Sequence, residues 1–112
     1  MLAQMAPLLD DRAWRFEVVA EDSVPADAFA LIREDEGLTA IVAGAGGDFA
    51  RITLMVHSAL EGVGLTAAVS TALAGAQIAC NVVAGFHHDH LFVPWPRRDE
   101  ALAILQRLAA AS

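Results

Sequence analysis

Between Glu61 and His87 the chain runs about 25 residues without a formal charge, GVGLTAAVSTALAGAQIACNVVAGF, and then closes with HHDHLFVPWP. Length and polarity alone would let this stretch cross a membrane, because roughly 20 apolar residues suffice for a helical span. Its internal pattern argues for a different outcome. Leu65, Ala68, Val69, Ala72, Leu73 and Ala76 fall at i, i+3, i+4, i+7, i+8 and i+11, one face of a helix, with Thr66, Ser70 and Thr71 elsewhere. From Ile78 the period becomes two: Ile78, Cys80, Val82 and Ala84 alternate with Ala79, Asn81 and Val83. The run is therefore expected to be a buried helix ending near Gly75, followed by a buried strand.

Similar periodicity organises the rest of the second half. Phe49 to Val56 alternates, with Ile52, Leu54 and Val56 on one side and Arg51, Thr53 and Met55 on the other, which predicts a strand. His88 to Val93 predicts a returning strand of a hairpin, stopped by Pro94 and Pro96. A last helix is expected from Arg98 or Asp99, with Ala101, Ile104, Leu105 and Leu108 on its inner face. The first half predicts strands at Trp14 to Val19, Phe29 to Ile32 and Leu38 to Gly44, and a short amphipathic helix over Met1 to Leu9 despite Pro7. Gly44 to Gly47 reads as the seam between the halves.

Strand, helix, strand, strand, helix, with both helices on one face of an antiparallel sheet, is a split βαβ ferredoxin-like motif lacking its last strand. Only Ala109 to Ser112 follow Leu108, so the missing strand has to come from elsewhere. The Trp14 to Val19 segment is the expected donor.

At 112 residues the chain holds one folding unit. It is 56% hydrophobic, with a mean hydropathy of +0.49, so part of its apolar surface is expected to be covered in a dimer or higher oligomer. The net charge of −7 argues against nucleic acid and against anionic membranes as partners. A lone Cys80 on an apolar strand, and the lack of a signal-peptide pattern at the start, fit a reducing cytoplasm.

The segment ARITLMVHSALEGVGLTAAVSTALAGAQIACNVVAGFHHDHLFVP, residues 50 to 94, resembles the signature of small bacterial ACT-domain proteins with two ACT-like halves per chain. EDEGLTAIV, residues 34 to 42, is similar to the corresponding first-half hallmark. The resemblance is strongest over residues 49 to 108. It implies an α+β ferredoxin-like ACT fold, duplicated, with antiparallel sheets and helices on one face. Residues 1–47 would form a degenerate N-terminal ACT-like half and residues 48–112 the C-terminal ACT domain. The resemblance further implies sheet-extending dimers and a regulatory role, similar in architecture to amino-acid-sensing proteins that pair ACT modules. In such modules an amino acid or similar small zwitterion binds between the first strand-to-helix loop of one module and a strand of the other. Where relatives tend to read HSSLEAVGL this chain has Ala59 and Gly62, which removes a hydroxyl and loosens the loop.

The ligand-binding candidates are therefore His57, Ser58, Gly62, Val63, Gly64, Leu65 and Thr66, with Asn81 from the strand. A helix start offers unpaired backbone N–H groups and partial positive charge, which suits a carboxylate, and glycines let a ligand approach the backbone. The same residues also suit a plain strand-to-helix turn capped by Ser58 or Thr66. Asn81 can meet a ligand or satisfy a neighbouring backbone group. The acidic Glu34, Asp35 and Glu36 read as a solvated turn. His87, His88, Asp89 and His90 suggest a metal-dependent enzyme as one alternative, but on a strand His88 and His90 would face away from His87 and Asp89. A pure interaction or scaffold protein is the other alternative. No catalytic residue, cofactor or metal ligand is expected, because Cys80 sits in a buried-type strand and Ser58 lacks an activating partner.

Overall fold

Period-two alternation in β4, Phe49–Leu54, divides the molecule into two layers. Ala50, Ile52 and Leu54 are buried toward the helices, whereas Phe49, Arg51 and Thr53 face the other way. In this computed structural model, which describes residues 4–55 and 64–111, β4 lies near the middle of a six-stranded sheet. The remaining elements are β1 (Pro7–Val19), β2 (Ala30–Glu34), β3 (Gly37–Ala43), α1 (Gly64–Gly75), β5 (Asn81–Ala84), β6 (Asp89–Pro94) and α2 (Arg98–Ala110). A single 3-10 turn, Trp95–Arg97, leads into α2. The strand order is β2-β3-β1-β4-β6-β5 and all five pairings are antiparallel.

Helix α1 buries Leu65, Val69 and Leu73 and half-buries Ala68, Ala72 and Ala76, the face that the spacing specifies. Helix α2 buries Ala101 and Leu105, with Ile104 and Leu108 beside them. These side chains join Met5, Ala50, Ile52, Leu54, Ile78, Leu91 and Val93 in one core. Each fully buried Leu or Ile contributes roughly 1.5–3 kcal/mol, so this layer dominates stability. Arg97 links the helices: it donates to the Ala76 carbonyl at 3.1 Å and to Glu100 at 2.7 Å. A cation there also complements the negative end of α1.

α1 ends at Gly75, as expected from the sequence. Gly75 is an ordinary helical residue, and the left-handed position falls on Gln77 at φ 59°. Ile78 N–H donates to the Leu73 carbonyl and Gln77 N–H to the Ala74 carbonyl, and Ile78 packs with Leu73 in the core. This is a Schellman closure with Gln77 in the position usually taken by glycine.

Three expectations need correction. Of the helix expected over Met1 to Leu9, residues 1–3 lie outside the described residues, Gln4 is in a 3-10 turn, and no α-helix follows: Ala6 takes a positive φ of 43°, Met5 is fully buried, and the chain is extended from Pro7 onward. Proline has no N–H to give a helix, whereas Leu8 and Leu9 gain partners in Thr53 and Ile52. The strand beside β4 is indeed donated by the first half, but through Pro7 to Trp14, while Trp14 to Val19 pairs with β3. The expected buried strand from Ile78 starts at Asn81, lies at the sheet edge and is largely exposed; of residues 78–84 Ile78 alone is fully in the core, with Cys80 and Val83 half-buried against the two cores.

The order β1-β4-β6-β5 completes a ferredoxin-like unit with β1 as its last strand. On the other side β1, β3 and β2 repeat the arrangement of β4, β6 and β5, so the strand order reads as a palindrome. Residues 20–29, which bridge β1 and β2, form turns where the other half has a helix, so the described residues show a helix-bearing unit once.

The sheet is curled. Phe29, at the start of β2, stacks edge-on against Phe92 and His90 of β6, with ring centroids 5.9 and 4.8 Å away. In a flat sheet those strands would stand about 19 Å apart. The concave side encloses a second core of Trp14, Ile41 and Phe92, joined by Phe29, Ala30, Phe49 and Val83.

Candidate functional site

Of the loop residues named from the sequence, His57, Ser58, Gly62 and Val63 lie outside the described residues. Gly64 is exposed and opens α1, and a Cβ placed on it would meet nothing within 4 Å. Thr66 is exposed beside it, whereas Leu65 points into the core and is committed to packing. Asn81 is exposed at the far end of β5: it pairs with Phe92, level with Arg51, whereas the loop leaves β4 at Leu54.

The histidines are dispersed as well. His87 and His88 belong to the turn closed by Gly85 N–H donating to the His88 carbonyl. Asp89 is buried on the helix side of β6, and His90 faces the concave side. Its Nδ1 shares a 2.9 Å hydrogen bond with the Thr53 hydroxyl. Burial, reinforced by the Arg51 and His88 charges, pulls the His90 pKa below its ordinary value. Among the described residues no three His, Cys, Asp or Glu side chains converge as a metal would require.

A different group does converge on the concave face, and sequence reasoning did not single it out. Between Leu9 and Ala13 the β1 register against β4 slips, so Asp10, Asp11 and Arg12 bulge beside Arg51. The Arg51 guanidinium lies in the corner formed by Trp14 and Phe29, 4.7 and 4.5 Å from their ring centres, the two rings standing at 65° to each other. Its side chain is only 17% exposed, and its buried Nε has no hydrogen-bond partner among the described residues. Burial lowers the Arg51 pKa, against the attraction of Asp10.

Asp10 is the nearest counter-charge, at 3.7 Å from Nη2, but its carboxylate is already engaged. It accepts from Trp14 Nε1 at 2.9 Å and from Arg12 Nε at 3.1 Å. Burial raises the Asp10 pKa, but the bonds from Arg12 and Trp14 outweigh it and hold the group below its ordinary value. Leu8, Leu9, Asp10, Asp11, Arg51 and Thr53 line an open cleft of about 310 Å³ at the bulge. The sequence signal was the lone cation on the polar side of β4; its pairing with DDRAW depends on the curl of the sheet.

A profile of the ACT domain matches residues 50–107. Among solved structures, a Vibrio cholerae protein of unknown function, described as a possible transport protein, superposes with a TM-score of 0.78 at 38% identity. That alignment covers 93% of this chain and 91% of the other. An Agrobacterium tumefaciens protein shares the fold, with a TM-score of 0.73 at 16% identity, over 92% of this chain and 87% of that one. A search of curated proteins gives no match.

Proposed function

Because the chain belongs to the ACT-domain family, we propose that it is a regulatory protein that binds an amino acid or similar small zwitterion at the start of α1. The supporting observation is Gly64: it opens the helix with nothing among the described residues within 4 Å of an added Cβ, next to backbone N–H groups that have no partner inside the helix. A carboxylate placed there gains charge-assisted hydrogen bonds and the favourable end of the helix dipole. The exposed Gly64 and Thr66 would line the site. Asn81, exposed on the edge strand β5, would serve it from a second copy.

Such a copy fits the two open sheet edges. β2 exposes Leu31 and Ile32, and β5 exposes Val82. Edge strands of this kind invite pairing. Ligand binding would then shift the balance between two packings of the modules in proportion to its differential affinity for them. In this reading the protein is a cytoplasmic oligomer and not an enzyme.

Thermal-shift measurement against the common L-amino acids tests the proposal. A ligand at about 100 times its Kd stabilises by about 2.7 kcal/mol, a shift of several degrees. Gly64→Val should remove that shift while the unliganded melting temperature stays close to wild type, since the added side chain enters open space. An undiminished shift in Gly64→Val would place the ligand elsewhere, and no shift with any amino acid would reject the reading.

A further inference from the structure

We infer that the concave-face cleft at the β1 bulge is a separate ligand site, in which Arg51 receives a small carboxylate. This does not rest on the site proposed at α1, which begins on the opposite face of the sheet. The guanidinium carries five N–H donors; its buried Nε has no hydrogen-bond partner among the described residues, and Nη2 stands 3.7 Å from Asp10, beyond hydrogen-bond distance. Buried cations of that kind are costly unless they are paired and hydrogen-bonded. Asp10 does not complete it, because it stands at 3.7 Å with its oxygens turned to Trp14 and Arg12.

Trp14 and Phe29 meet at 65° and hold the guanidinium fork from one side, so a ligand would reach it from the cleft. A planar carboxylate matches that fork in a way that no neutral group of the same size does. The cleft is open to solvent and about 310 Å³, at the small end of ligand pockets. Its charge selects further. Asp11 stands at the mouth beside Asp10, so a second negative charge on the ligand is repelled and a positive one is welcomed. A zwitterion such as L-alanine suits these walls better than acetate, and acetate better than succinate.

Titration of 15N-labelled protein with these three compounds, following the arginine Nε–H signals, reads the site directly. The Arg51 signal is identified by its absence from Arg51→Met, a variant that keeps an apolar stem against the rings. L-alanine should move that signal saturably, acetate more weakly, and succinate about tenfold more weakly than L-alanine. Gly64→Val should leave the Arg51 response intact, which separates this site from the one at α1. An Arg51 signal unmoved by all three compounds overturns the inference. Succinate binding as tightly as L-alanine overturns the charge selection.

Discussion

Replacing Gly75 by alanine tests where α1 ends and how its end is built. If Gly75 were the left-handed terminator, a Cβ there would cost roughly 1–2 kcal/mol. The structure gives it helical backbone, with no atom within 4 Å of the added Cβ. Alanine should then gain the full helix-propensity difference, about 1 kcal/mol. For a domain of this size that raises the melting temperature by about 4 °C. Gln77 holds the strained position at φ 59°, so Gln77→Gly should relieve about 1–2 kcal/mol of strain. Against this stands about 0.4–1 kcal/mol from the greater freedom of glycine in the unfolded chain, which leaves a net gain near 0.5 kcal/mol. Urea denaturation of both variants, with m-values checked for constancy, measures the two signs. Destabilisation by Gly75→Ala would refute the Schellman assignment outright.

Gly47→Ala should be the opposite case: its Cβ would lie 2.5 Å from the Trp14 carbonyl oxygen and 2.7 Å from its nitrogen, so β1 must move, at about 2 kcal/mol in denaturant melts. Leu73→Ala, which opens a hole in the helix core, should cost about 2–5 kcal/mol in the same assay. His90 is held neutral in the fold, so as pH falls through its ordinary value of 6.5 the unfolded chain takes up a proton that the folded chain resists. Stability should therefore decline below that pH, and the decline should shrink in His90→Gln, as followed by melting temperature against pH. The Cys80 thiol, pushed up by burial, should react with iodoacetamide more slowly in the native protein than in urea, as read by mass spectrometry.

Legibility in the sequence followed the range of the interactions. The inner face of α1 and the alternation of β4 are set by local periodicity, and both were readable from Leu65, Val69, Leu73, Ile52 and Leu54 alone. Met1 to Leu9 misled because nine residues of amphipathic pattern, interrupted by Pro7, are a weak length signal; the state of Pro7 to Leu9 is decided by β4, more than forty positions away. The alternation from Ile78 to Ala84 could not say which neighbour it would have, and an edge strand with one partner buries little. The Arg51 cleft was invisible for a stronger reason. It needs a register slip in β1, a curl across the sheet and a ring from residue 29, none of which leaves a periodic trace.

Strand β1 belongs to both halves at once, its first part completing the helix-bearing unit and its last part anchoring the hairpin of β2 and β3. Cutting the chain in the turn near Gly46 would therefore yield two fragments, each missing the neighbour that covers its exposed backbone edge. Mixed together, they should reassemble, whereas alone each should aggregate through that edge. The same reasoning makes the turn a hinge for exchange: extended between two copies, it would let the leading strands of one dock on β4 of the other with every pairing preserved.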